Sequence, residues 1–244
     1  MKTKIIAILA ITLLISAALP TIAANENDYN YIVGKSNNVE PIDVPDSWLE
    51  GADQYQTDDC NYGMIMNPSF TVAQEFKPTK EDLTAVLLYF FNNDAPSNVD
   101  ITVSIRDSLD GADLTTMTIS ADNKNIKPTG TWVMFDFDDI IVIPEETYYI
   151  VCYASDGGID DNYYCWYFDV DNKYDRGIGW ATDSGGNWYD LEDAFGDPEF
   201  LELDLWFITY FQEPPKSKAT STPFLNFLES HPILYQLLQR ILRL

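Results

Sequence analysis

Nine aromatic residues fall between Tyr163 and Tyr189, with carboxylates, amides and one guanidinium threaded among them. A sugar ring needs this combination: a flat apolar surface for its C–H faces and hydrogen-bonding groups for its hydroxyls. Trp166, Tyr174, Trp180 and Trp188 are therefore candidate ring platforms, with Asp183 and Arg176 as polar partners. Any one of these rings has an ordinary alternative, which is packing in a core. Alternation along Tyr163–Phe168 puts Tyr164, Trp166 and Phe168 on one face and Cys165 on the other, so one of the two sets is expected in the core.

The cysteines carry the second candidate chemistry. If the apolar runs Tyr148–Tyr153 and Tyr163–Phe168 form a hairpin about Ser155–Asn162, Cys152 stands directly opposite Cys165. Opposite Cβ atoms in a strand pair are close enough to bridge. A Cys152–Cys165 disulfide is thus expected, with Cys60 left over. A third candidate is a structural Ca²⁺, which takes oxygen ligands. Asp107, Asp110 and Asp113 have the spacing of a loop site, although plain turn acids are the alternative and no full EF-hand spacing occurs.

Catalytic constellations are scarce. The chain has a single histidine, His231, outside the aromatic region. That excludes a Ser-His-Asp triad, a Cys-His pair or a histidine-ligated metal there. Phosphate-cradling glycine loops are missing from the sequence as well. Two carboxylates at a set separation would suffice for glycoside hydrolysis. With 39 Asp and Glu in the chain, no one pair stands out, and a secreted glycoside-active enzyme is the lesser alternative.

The elements that must position these residues read as strands. Short aromatic and β-branched runs alternate with Gly, Pro, Asn and Asp clusters from about residue 70 onward. They are Thr71–Phe76, Leu83–Phe91, Val99–Arg106, Leu114–Ile119, Trp132–Phe137, Tyr148–Tyr153, Tyr163–Phe168, Gly177–Ala181, Trp188–Leu191 and Leu201–Phe211. Val99, Ile101, Val103 and Ile105 show clean period-2 alternation. Asp110-Gly111, Asp156-Gly157-Gly158 and Ser184-Gly185-Gly186 supply turn residues that accept positive φ. The fold class expected is all-β: a two-sheet antiparallel β-sandwich of the jelly-roll type, with a closed barrel as the alternative.

Beyond the domain, organisation follows from composition. Residues 1–24 have the form of a cleavable signal peptide: Lys2 and Lys4, an apolar run to Ala18, then small residues at Ala23 and Ala24. A polar lead-in with a short strand at Tyr29–Val33 occupies 25–54, the sandwich 55–211 and a Pro/Ser/Thr/Lys linker 212–223. An amphipathic helical tail over 224–244 is expected, with Phe224, Phe227, Leu234, Leu237, Leu238 and Ile241 as its docking residues. It is too short to span a bilayer and suits a membrane surface or a partner protein, or else it folds back on its own domain. Residues 25–214 hold eight Lys and Arg against 38 Asp and Glu, a net of −30. Such a field repels nucleic acid, whose affinity comes from cationic side chains neutralising phosphates.

Several segments, in order, also resemble a known family. They are Ala73-Gln-Glu-Phe-Lys-Pro-Thr79, Leu83-Thr-Ala-Val-Leu-Leu-Tyr89, Asp100-Ile-Thr-Val-Ser-Ile-Arg-Asp107, Trp132-Val-Met-Phe-Asp-Phe137, Thr147-Tyr-Tyr-Ile-Val151 and Tyr163-Tyr-Cys-Trp166. Across about residues 53–211 this resembles a jelly-roll domain of secreted archaeal and bacterial surface proteins, similar in fold to carbohydrate-binding modules. Asp183-Ser-Gly-Gly-Asn-Trp188 resembles that family's S-S-D-G-G-x-T-W hairpin, itself similar to an Asp-box, without the Ser and Thr. Phe224-Leu-Asn-Phe-Leu-Glu-Ser-His-Pro232 resembles C-terminal segments of some archaeal surface proteins. The resemblance implies fold and location; most members have no known function.

The expectation is therefore a secreted, surface-retained, non-catalytic module that binds a glycan or another extracellular ligand through aromatic residues. The alternative is a structural or assembly protein of the cell envelope, docked by its tail.

Overall fold

A computed structural model describes residues 33–35, 44–57, 62–122, 125–158, 162–169, 174–191 and 203–212. The expected signal peptide, Cys60, nearly all of the linker and the whole tail, including its six docking residues, lie outside the described residues.

The described chain is almost entirely antiparallel β-structure in two sheets. In chain order the strands are β1 (Val33–Lys35), β2 (Ala52–Gln56), β3 (Tyr62–Met66), β4 (Val72–Phe76), β5 (Asp82–Asn93), β6 (Val99–Arg106) and β7 (Thr115–Ala121). They continue with β8 (Thr131–Ile141), β9 (Tyr148–Ala154), β10 (Tyr163–Asp169), β11 (Gly179–Thr182), β12 (Trp188–Asp190), β13 (Asp204–Leu205) and β14 (Phe207–Tyr210). One helical turn, α1 (Asp46–Leu49), precedes β2. All ten expected strand regions carry strand. β2, β3 and α1 were not anticipated, and only Val33 of the expected Tyr29–Val33 strand is described, as the first residue of β1.

The first sheet runs β1-β3-β10-β5-β14-β2, with β8 on the other edge of β5 and β13 beside β10. The second runs β12-β11-β4-β9-β6-β7. The core lies where the two inner faces meet. Val99, Ile101, Val103 and Ile105 all point into it, as their alternation requires, against Ile150 and Cys152 of the neighbouring β9. The inner face of the first sheet contributes Phe90, Phe135, Tyr164, Trp166 and Phe168.

The expected β9–β10 hairpin does not form. β9 pairs with β4 and β6 in the second sheet, whereas β10 pairs with β3 and β5 in the first. The chain crosses between sheets where a hairpin turn was expected. Cys152 and Cys165 are consequently both free thiols, which corrects the expected disulfide. The Cys152 Sγ lies in the inter-sheet core, 3.3 Å from Met66 Sδ. Cys165 faces away from that core, in a second cluster with Tyr89, Tyr163, Tyr167 and Trp206. Burial pushes both thiols up, far from thiolate character.

β10 is buried on both faces, so alternation along it does not separate core from surface. Trp206 explains part of this. It is the corner between β13 and β14, its N–H donating to Tyr167 O at 2.8 Å. Its carbonyl accepts from Trp166 Nε1 at 2.8 Å. Its ring joins Tyr89, Trp132 and Tyr167 at centroid separations of 5.1, 6.0 and 5.5 Å.

Where β10 meets β13, Asp169 stands opposite Asp204, both buried. Two glutamines serve them. Gln56 Nε2 donates to Asp169 Oδ2 at 2.8 Å, and Gln74 Nε2 donates to Asp204 Oδ1 at 3.0 Å. Gln74 Oε1 also accepts the Leu205 N–H at 2.6 Å. Buried carboxylates persist only with such partners.

Candidate functional site

The sequence candidates separate into three places. Trp166 and Tyr174 are core residues. Trp166 packs edge-on to Phe90 at 6.2 Å, and Tyr174 edge-on to Phe207 at 5.0 Å. The Tyr174 hydroxyl donates to Gln54 Oε1 at 3.2 Å and accepts from Lys77 N at 3.3 Å. Both rings are therefore withdrawn as ligand platforms. The physical reason is that β10 and the approach to β11 lie against the core, where large aromatics bury most apolar area.

Arg176 lies near the Phe76 end of β4. Its Nη2 donates to Glu145 Oε1 at 2.9 Å and to Lys77 O at 3.0 Å. The Asp183–Trp188 hairpin lies past the other end of the same strand, where Thr182 N donates to Thr71 O. Arg176 and Asp183 thus serve different ends of the second sheet, and Arg176 is not a partner of the Trp188 ring.

Trp180 and Trp188 remain partly exposed, on the outer face of the second sheet. Alternation decides this. In β11 Ala181 enters the core, so Trp180 and Thr182 face out. In β12 Tyr189 packs against the core, so Trp188 and Asp190 face out.

Strand register lines up the residues of the site. Trp188 stands opposite Thr182, and Thr182 bonds to Thr71 across β4. Val72 pairs with Cys152, so Thr71 precedes the pair that sets Tyr153 in the same row. Tyr153 pairs with Thr102, and Thr102 with Thr118, whose hydroxyls bond at 2.8 Å. Trp188 and Tyr153 therefore flank a floor of two threonines. Three strand spacings separate their backbones, roughly 14 Å. Tyr153 is 38% exposed.

Walls rise around this floor to make a cleft of about 550 Å³, lined by Pro68, Ser69, Thr71, Arg106, Tyr153, Thr182, Ser184, Gly185, Gly186 and Trp188. One wall is the β11–β12 hairpin. Asp183 builds it: its Oδ1 accepts from Gly185 N at 2.8 Å, from Asn187 N at 2.9 Å and from Asn187 Nδ2 at 3.2 Å. Those donors, the Asn187 side chain first, hold the Asp183 carboxyl below its usual range. Gly186, at φ +81°, closes the turn in a conformation that side chains disfavour. Asp183 is thus a scaffold for Trp188 rather than a ligand contact.

The other wall is the turn between β6 and β7. Arg106, the last residue of β6, donates from Nε to Asp113 Oδ1 at 2.7 Å and from Nη1 to Leu109 O at 2.9 Å. The turn reaches far enough over the sheet for Asp110 Oδ1 to accept from Trp188 Nε1 at 3.0 Å. Asp107 meets Ser108 Oγ at 3.1 Å. The three carboxylates expected to share a Ca²⁺ are therefore engaged separately. Among the described residues, no group of three or more His, Cys, Asp or Glu is placed to hold a metal.

Arg106 and Tyr153 were not singled out from sequence. Both sit at outward positions of the strand alternation, Arg106 in the 100, 102, 104, 106 series and Tyr153 in the 149, 151, 153 series. That signal was present but applies equally to every solvated strand residue. No protein-family model matches the chain, and no curated protein is significantly similar to it.

Proposed function

We propose that this chain is an exported, non-catalytic binding module that takes a saccharide in the cleft on the outer face of the second sheet. The observation that carries the reading is the row Trp188–Thr182–Thr71–Tyr153. It offers two rings facing solvent across a hydroxyl-lined floor of roughly 14 Å, a short oligosaccharide's length. Rings supply contact area for the apolar sugar faces, and hydroxyls and a guanidinium supply hydrogen bonds. Among the described residues lining the cleft there is no Asp or Glu. Export is supported by the leader-like composition of residues 1–24. The two-sheet architecture agrees with a jelly-roll assignment, which we adopt as part of the reading.

Saccharide arrays and polysaccharide affinity electrophoresis test it, with tryptophan fluorescence as the titration signal. Trp188→Ala and Tyr153→Ala should each weaken binding by about tenfold or more, as loss of a stacking aromatic does. Trp166→Phe should leave binding unchanged. Equal binding by wild type and the Trp188→Ala/Tyr153→Ala double variant would refute the site.

A further inference from the structure

We infer that the cleft selects neutral saccharides and rejects acidic ones, because its cation is already neutralised by the turn that walls it. This rests on the proposed saccharide site. Arg106 is the one charged residue among the described lining residues. Alone, a guanidinium would favour a carboxylate or sulfate, which it grips through two parallel hydrogen bonds. Here its Nε edge is taken by Asp113 at 2.7 Å and one Nη1 hydrogen by Leu109 O. The Arg106 side chain is 20% exposed and that of Asp113 42%, so the pair is partly solvated, with the guanidinium the more enclosed half. The remaining amino group, Nη2, has no partner among the described residues and can donate to a hydroxyl.

A second carboxylate of the same turn, Asp110, is bonded to the Trp188 indole at the cleft's edge. An entering anion would thus meet one cancelled cation, a further negative charge beside the aromatic platform, and the field of residues 25–214, whose net charge is −30. Like-charge fields of this kind suppress association. A neutral sugar meets none of that repulsion and still receives donors from Arg106, Thr71 and Ser184, the Thr182 hydroxyl being engaged with the Thr71 backbone. Asp113 is accordingly a positioning and specificity residue: it orients Arg106 and removes the attraction for acids.

The experiment uses the full chain and two probe sets, maltohexaose, cellohexaose and mannohexaose against hexagalacturonate and hexaguluronate, at about 20 mM and about 500 mM NaCl. At least one neutral hexasaccharide should bind with the same affinity at both salts, within about twofold, and the uronates should bind measurably but more weakly than it at low salt. Asp113→Asn should raise uronate affinity relative to neutral affinity by up to about fivefold, the range of a part-exposed ion pair. Adding Arg106→Gln should abolish that gain. Wild type binding a uronate at least as tightly as any neutral probe overturns the inference and leaves the saccharide site standing. An unchanged uronate-to-neutral ratio in folded Asp113→Asn also overturns it. Binding of neither set overturns the saccharide site itself. If Asp113→Asn does not fold, the wild-type comparison at two salts decides alone.

Discussion

Gln74→Leu is the most direct probe of what holds the two sheets together. Gln74 is fully buried in β4, yet two of its three side-chain hydrogen bonds reach Asp204 and Leu205 of β13, far along the chain. Leucine is close in volume and removes all polar capacity. The Leu205 N–H loses its side-chain acceptor at 2.6 Å, which costs about 1–3 kcal/mol when the donor stays buried. The Asp204 carboxylate loses a donor at 3.0 Å, a bond to a charged group worth roughly 1.5–3 kcal/mol. Leucine regains about 1 kcal/mol through its apolar surface. The net expectation is a loss of about 2–5 kcal/mol. For a folded unit of this size that lowers Tm by roughly 5–20 °C. Urea unfolding followed by tryptophan fluorescence measures it, with the m-value checked for constancy. A loss below about 1 kcal/mol at unchanged m would show that the Gln74 bonds do not secure the β4–β13 contact. Gln74→Glu sharpens the case. It places a further carboxylate beside the Asp169 and Asp204 pair, and should cost more than leucine does.

Two further expectations concern the cysteines and the cleft hairpin. In a Cys60→Ser background, reductant should leave Tm unchanged within about 1 °C, whereas a disulfide closing that loop would be worth about 3 kcal/mol. Native protein should resist thiol labelling at Cys152 and Cys165 until denaturant is added; rapid native labelling would contradict their burial. The Asp183 carboxyl is held below its ordinary value, so its contribution to the hairpin is fully present above the usual carboxylate range and fades as pH falls through the lowered folded-state value. Amide exchange at Gly185 and Asn187, corrected for intrinsic rate, should accelerate at acid pH and in Asp183→Ala at all pH values. A pH-independent protection factor would rule out the carboxylate as the turn's organiser.

Much of the strand framework was legible because it is local. The alternation of Val99–Arg106 and the Asp183-Ser-Gly-Gly-Asn-Trp188 turn depend on neighbouring residues, and both appear in the fold as read. β2 and β3, Ala52–Gln56 and Tyr62–Met66, were not legible. Their Ala, Asp, Gln, Gly and Met content has weak strand preference, and what makes them strands is pairing to β14 and to β10. At the site, Trp166, Tyr174, Trp180 and Trp188 were legible only as one set of candidate rings, and the two on the outer face could not be separated from the two in the core. Composition does not distinguish an aromatic in a core from one on a face.

The amino-acid sequence alone determined that the domain is all-β and strongly acidic, and where most strands and turns lie. These follow from side-chain periodicity, turn chemistry and charge, which are properties of short segments. Only the tertiary structure decided which strand neighbours which. Alternation says which face a residue takes, not which sheet receives the strand, and pairing partners are chosen by burial across the whole chain. That choice put Cys152 and Cys165 in different sheets and closed both sides of β10. It also set Trp188 and Tyr153 in one row, with Arg106 and its Asp113 partner at the wall.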